Sequence, residues 1–270
     1  MQSFLISFLF YVGKLLLLTL GSVTLCGLLV RLCTVAVARL MGSGAEKLFA
    51  LTAVVGTPVH ELGHALMCPL FGHKIESIKL LDLRATNGVY GYVNHSYPQK
   101  SVWAKLGNLM IGVGPIFSGI GVLVLILWLC FPDQWSAYLQ SSRALWSGNA
   151  SIGKLLLSCT ELLYALPAAF AKAPWRSLLG TLMILSVALH ISLSPKDIRS
   201  SLNALPPFLL LVGVFALITL LLGWSDGVLT ALSLFQLRLL SLFGIVLAFS
   251  LLWVLLALLR WGLRAFLRFF

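Results

Sequence analysis

Charge is scarce in this chain. Only 10% of its 270 residues are Asp, Glu, Lys or Arg, and eight of those are acidic. An ordinary soluble domain carries about 25% charged residues, so that class is excluded. Cysteine is sparse and unpatterned. Cys26, Cys33, Cys68, Cys130 and Cys159 show no CxxC spacing, which excludes a disulfide framework and a thiolate zinc site. The net charge is +11, yet no Lys/Arg stripe interleaved with aromatics accompanies it, so no nucleic-acid partner is expected. The basic residues sit mostly at the ends of apolar runs, where they suit lipid headgroups and topology. No internal repeat is evident. The N-terminal apolar run is too long for the core of a cleaved leader and has no clear small-residue cleavage site, so it is expected to remain as a spanning helix.

Apolar residues are what the chain has in quantity, at 60%. About six runs approach or exceed the roughly 20 residues that cross a bilayer. They cover about Phe4 to Leu32, Leu48 to Phe71, Val102 to Phe131, Leu178 to Leu193, Pro207 to Trp224 and Leu232 to Leu259. The expected fold is an all-α polytopic membrane protein, a single integral membrane domain over 1–270, with the lipid bilayer as a partner. The long connection 132–175 reads as loop from Pro132 to Asn149, then as an interfacial amphipathic helix from Lys154 to Lys172. Arg260, Arg264 and Arg268 favour a cytoplasmic C-terminus, with the hairpin described below on the same side, while Arg31, Arg39 and Lys47 argue the other way; the first arrangement is the one expected. The setting expected is the bacterial cytoplasmic membrane.

The second run holds His60-Glu61-Leu62-Gly63-His64, the HExxH pattern. With only five His and four Glu in the chain, such a pattern arises by chance in roughly 0.1–0.2% of sequences of this composition, so it carries information. On a helix His60 and His64 are one turn apart and share a face, so both imidazoles can reach one metal ion. Glu61 beside them can take a proton from a water that the metal activates. Ionisable groups in hydrocarbon are unfavourable by several kcal/mol unless paired or ligated, and Zn2+ supplies a reason for the cluster. The alternative is two helix histidines bonded to neighbouring helices. Cys68, one turn after His64, is read as packing.

Catalytic zinc usually takes three protein ligands. The further candidates are Asp82, Asp197, His73, His95, His190 and Glu161. Asp197 is the best placed, because Pro195 breaks the fourth run and can turn it toward the bundle. The alternative for Asp197 is the N-cap of a short helix. His190 is a lesser candidate or a partner of a ligand.

Between the motif and the third run, alternating residues flank Asn87-Gly88, a hairpin signal placed over 75–96. Its edge, with Tyr90, Tyr92 and Asn94, could pair with an extended peptide, or it could merely link two helices. Asn108, near the start of the third run, is a further candidate for contact with a substrate backbone, against an interhelical hydrogen bond. That run also carries Gly107, Gly114 and Gly121 in one row and Gly112 and Gly119 in another, which permits close helix packing, and Pro115, which kinks the helix and frees a backbone carbonyl.

These residues resemble the site-2 protease class of intramembrane zinc metalloproteases. The similarity runs from about Gly56 to Arg199: Pro58 to Ala65 around HExxH, the hairpin after it, Gly112-Val113-Gly114-Pro115 on the next helix, and an Asp at the end of a later one. The chain departs from the class at Ser194-Pro195-Lys196-Asp197-Ile198, which stands where the class has an Asn-Pro-rich run ending in Leu-Asp-Gly. The resemblance implies a catalytic core over 48–199, with 1–47 and 200–270 as accessory helices. It implies zinc on His60, His64 and Asp197, with Glu61 as the proton carrier, and endoproteolysis of a transmembrane protein or peptide. A membrane-protein regulator is a further partner to expect. The rival function is a non-catalytic scaffold or transporter-like subunit that keeps a metal site.

Overall fold

The computed structural model describes residues 2–84, 88–146 and 152–267. The chain runs through α1 (Gln2–Leu16), a π-helical turn (Leu17–Gly21), α2 (Ser22–Met41), a 3-10 turn (Gly42–Gly44) and α3 (Ala45–Leu70). A hairpin of β1 (Lys74–Lys79) and β2 (Tyr92–Ser96) follows. After it come α4 (Val102–Cys130), α5 (Pro132–Trp146), α6 (Ile152–Tyr164), α7 (Leu166–Lys172), α8 (Pro174–His190), α9 (Pro195–Leu202), α10 (Leu205–Leu221) and α11 (Ser225–Leu267).

Among the described residues, three helical runs are long and apolar enough to cross a membrane: Phe4–Leu70, Val102–Cys130 and Ser225–Leu267. A fourth joins them if α8 and α9, bent by 52° at their break, make one span; α10 is apolar but shorter. The count by length is therefore three to four rather than the six expected. The first two expected runs fall in one helical stretch, because the break between them is a single 3-10 turn at Gly42–Gly44, where Gly42 takes a positive φ of 54°. Large apolar side chains such as Leu51, Phe10 and Leu210 face outward, which is consistent with a membrane protein.

α4 is the central element. It is hydrophobic nearly all round, as a helix enclosed by others must be. Ser101 caps it, its hydroxyl accepting from the Ala104 amide at 3.2 Å. Ile116, Ile120, Leu123 and Leu127 of α4 join Ile184 of α8 and Phe249 of α11 in the main core. Small residues set how closely the helices approach. A Cβ added at Gly63 of α3 would lie 2.5 Å from Ser118 Oγ and 2.6 Å from the Gly114 carbonyl of α4. Gly112 faces α9 at Ser201 and Asp197, and Gly119 faces Ile191. Gly121, expected in one row with Gly107 and Gly114, meets nothing within 4 Å.

The hairpin forms, but not around a two-residue turn. β1 and β2 pair antiparallel from Lys74↔Ser96 to Lys79↔Tyr92, with a bulge between Ile75 and Ser77. Asn87 lies outside the described residues; the strands end at Lys79 and resume at Tyr92, so the connection is long. One further bond, from the Asp82 amide to the Tyr90 carbonyl (2.6 Å), reaches into it. The reason is contact with α3. A Cβ at Gly91 would meet Thr57 Cγ2 at 2.7 Å and Glu61 Cγ at 2.8 Å, and the buried Tyr90 donates its hydroxyl to the Glu46 carbonyl at 3.3 Å. This stretch lies along α3 instead of completing a ladder.

One other expectation changes. Pro132 to Trp146 is helix α5, not loop. Pro132 suits the first helical position, and Gln134, Tyr138 and Ser142, four residues apart, line its buried face. That face is partly polar, which hid its periodicity; Asn149 lies outside the described residues. In addition, Arg260 donates to the Met41 carbonyl at 2.8 Å. The basic end of α11 thus sits beside the α2–α3 junction, the end of α3 that the hairpin connection also reaches through Tyr90 and the Glu46 carbonyl.

The α3–α4 contact is testable. Gly63→Ala forces backbone apart and should destabilise the bundle by about 1–3 kcal/mol, the usual range for overpacking. A thermal unfolding midpoint in detergent equal to that of the parent protein would contradict the contact.

Candidate metal centre

The four-residue spacing on α3 places His60 and His64 on one face, with their Nε2 atoms 3.3 Å apart. Each ring is held from behind. His60 Nδ1 donates to the His190 carbonyl and His64 Nδ1 donates to the Ile111 carbonyl, both at 2.8 Å. A neutral imidazole carries one N–H, so both Nε2 atoms present bare lone pairs. Asp197 completes the group. Its Oδ1 lies 3.3 Å from His64 Nε2 and its Oδ2 lies 3.8 Å from His60 Nε2. The three side chains are 11–14% exposed.

Asp197 arrives there through local structure. Ser194 caps α9 and Pro195 takes its first position. The Asp197 amide donates to Ser194 Oγ (3.1 Å), and the Ser194 amide donates to Asp197 Oδ2 (2.8 Å). This is a capping box. Ligand candidate and cap, posed as alternatives, therefore coexist: Ser194 is the N-cap, and the carboxylate that closes the box also faces both histidines.

Two lone pairs and a carboxylate converging out of bulk water call for a cation. Tetrahedral zinc, with bonds of about 2.0–2.1 Å, sets its ligand atoms roughly 3.3–3.4 Å apart. The 3.3 Å separations of His64 Nε2 from His60 Nε2 and from Asp197 Oδ1 match that edge; the 3.8 Å contact of His60 is to the other carboxylate oxygen, Oδ2, and with one ligand atom from each residue the group lies within 4.8 Å. His60, His64 and Asp197 could thus hold a metal ion. In their backing hydrogen bonds both histidines have the partner that metal-ligating imidazoles usually have.

The centre opens on a cavity of about 1020 Å³, lined also by Glu61, Thr57, Tyr90, Tyr92, His95 and Arg31. Glu61, 7% exposed, follows His60 directly on α3, and its carboxylate borders the same space. Arg31 escaped notice as a site residue. It reaches from α2 to donate to the Leu193 carbonyl at 2.8 Å. The available signal was a cation inside an apolar stretch, which was read only for topology.

The remaining candidates are placed elsewhere. The His190 ring bonds to Thr52 Oγ1 (3.0 Å) and Thr57 Oγ1 (3.4 Å), so it is the carbonyl of His190 that serves the centre. His73 is buried and donates from Nε2 to the Ala104 carbonyl (2.7 Å). Its Nδ1 then accepts from Nδ1 of His95 at 2.9 Å, which leaves His95 Nε2 as an acceptor on a cavity-lining ring. Asp82 pairs with Lys79 on the hairpin connection, and the hydrogen bond from Lys79 holds its carboxyl below the ordinary value. Glu161 is exposed on α6. Cys68 is buried with Val93 and Ile111.

Of the four residues expected to touch substrate, Tyr90 and Tyr92 line the cavity. Asn94 and Asn108 do not. The Asn94 amide bonds to Ser77 Oγ across the hairpin (3.1 Å). Asn108 is 1% exposed, enclosed where α4 meets α9, and its Nδ2 has no hydrogen-bond partner among the described residues.

Comparison with known proteins gives no match, whether to family models, to curated sequences or to solved structures.

The double role of Asp197 separates two substitutions. Asp197→Asn keeps an oxygen for the capping box and removes the charge, so metal content should fall with little change in stability. Asp197→Ala should lose the metal and also about 1 kcal/mol of stability from the box. Elemental analysis and thermal unfolding of the two purified variants measure both; full metal content in both would exclude Asp197 as a ligand.

Proposed function

We propose that this chain is a zinc-dependent intramembrane endopeptidase that hydrolyses a peptide bond within or near a transmembrane segment. One observation carries the reading: the convergence of His60, His64 and Asp197, with Glu61 beside them, on one cavity in a chain of membrane-spanning character. A scaffold has no need of a carboxylate next to the ligand set; a transporter-like subunit could use intramembrane His and Glu for proton or ion transport, and the amount of bound zinc separates that reading from the hydrolase. The sequence resemblance to the site-2 protease class points to the hydrolase.

Zinc held by these three residues would supply a Lewis acid and a water acidified toward neutrality. Glu61 then accepts a proton from the attacking water and delivers it to the leaving amine nitrogen. Its carboxylate suits the task, since no hydrogen bond or ion pair ties it to another described residue and it borders the cavity.

The substrate must be unwound at the cleaved bond. An intact helix hides its carbonyls in internal hydrogen bonds, and in lipid it has no water with which to exchange them. The two-stranded hairpin leaves each strand one unpaired edge. Backbone pairing with an extended segment there compensates for the helical bonds lost. Tyr90 and Tyr92 supply the aromatic wall against which its side chains rest.

Glu61→Gln tests the assignment. The variant should keep about one zinc per chain and lose roughly 10²–10⁴-fold in cleavage rate. Reconstituted protein and mass-spectrometric detection of cleaved transmembrane peptides provide the assay. Undiminished proteolysis by Glu61→Gln would refute the role of Glu61, and a parent protein without bound metal would refute the hydrolase itself.

A further inference from the structure

The two carbonyls that orient the imidazoles are available for different reasons, and one of them is unusual. His190 is the last residue of α8. The final carbonyls of any helix lack an amide four residues ahead, so this one is free by position. Ile111 lies in the interior of α4. There each carbonyl is ordinarily taken by the N–H four residues on. Four residues on from Ile111 stands Pro115, which has no N–H. The Ile111 carbonyl is released inside a helix that continues on both sides, and His64 Nδ1 donates to it at 2.8 Å.

We propose that Pro115 is a positioning residue for the metal centre: by withholding one amide hydrogen from α4, it supplies the acceptor that orients His64 and turns Nε2 toward the metal. The neighbouring residue makes the reach short. At Gly114 the backbone of α4 lies against Gly63, one residue before His64. Gly114 lets the two backbones meet, and Pro115 leaves an acceptor where they meet. The other prolines inside the helix that carries the motif, Pro58 and Pro69, release the carbonyls of Val54 and Ala65, which serve no metal ligand.

The inference rests on the metal-centre reading above, and the test keeps the two apart. Zn2+ affinity of the full-length protein in detergent is measured by chelator competition for the parent, Pro115→Ala, Pro115→Gly and Pro69→Ala. Both replacements at 115 restore the amide hydrogen. Affinity should fall about 10–100-fold in them, the usual effect of losing a partner behind a ligand, and stay at the parent value in Pro69→Ala. The metal-free unfolding midpoint should not drop, because an uninterrupted helix is at least as stable. Parent-like affinity in either variant at 115 would overturn the proposal, as would an equal loss in Pro69→Ala. A readout without mutation is 15N NMR of the Zn2+-loaded parent labelled in histidine. It should show His64 protonated at Nδ1 and ligated through Nε2; ligation through Nδ1 would overturn the proposal. Should the parent protein bind no Zn2+, the metal-centre reading itself falls.

Discussion

Three electron-rich groups, the Nε2 atoms of His60 and His64 and the carboxylate of Asp197, point at one another inside an apolar bundle. Backbone, rather than another side chain, aims each of them. The His190 carbonyl holds His60, the Ile111 carbonyl holds His64, and the Ser194 amide holds Asp197. Backbone groups of α8 and α4 are thereby tied to two residues of α3, while the start of α9 holds its own Asp197. A centre built this way is stiff, because moving any ligand atom requires moving a helix. A shared cation would relieve the repulsion between these groups where water is excluded.

Hydrogen bonds of 2.8 Å from side chains on α3 to backbones on α4 and α8 need those helices close, and residues without side chains provide the room. Gly63 rests on Gly114, and a Cβ at Gly56 would come within 2.5 Å of both the Ser186 carbonyl and the His190 ring. In lipid, where apolar side chains gain little by leaving the solvent, such contacts are a main source of helix association. The small residues of α3 and α4 therefore belong to the metal centre as much as to the fold.

The hairpin shows the same economy. Its strands are short and largely exposed, and the described ends of its connection turn back along α3, where Tyr90 is anchored by the Glu46 carbonyl and Gly91 presses on Thr57 and Glu61. Tyr90, Gly91 and Tyr92 thus bring backbone and aromatic rings to the cavity lining. Glu61 borders the cavity beside His60, His64 and Asp197, and its carboxylate has no hydrogen bond or ion pair among the described residues.

HExxH, its apolar surroundings, the existence of a hairpin after it and the freed carbonyl at Pro115 were legible in the chain. Each follows from spacing or composition over a few residues. The helical α5, the long hairpin connection and the fate of Asn94 and Asn108 were not, because they depend on what each segment packs against. The role of Arg31 was missed for a related reason, since its acceptor lies 162 residues away. By itself the sequence determined that two imidazoles and a carboxylate share a turn of an apolar helix, since a four-residue period needs no other segment. Only the tertiary structure decided that Asp197 meets them, that Ile111 and His190 aim them, and that Tyr90 and Gly91 cover them. Those contacts join parts of the chain 47 and 130 residues apart, and which distant backbone arrives is settled by helix packing rather than by local pattern.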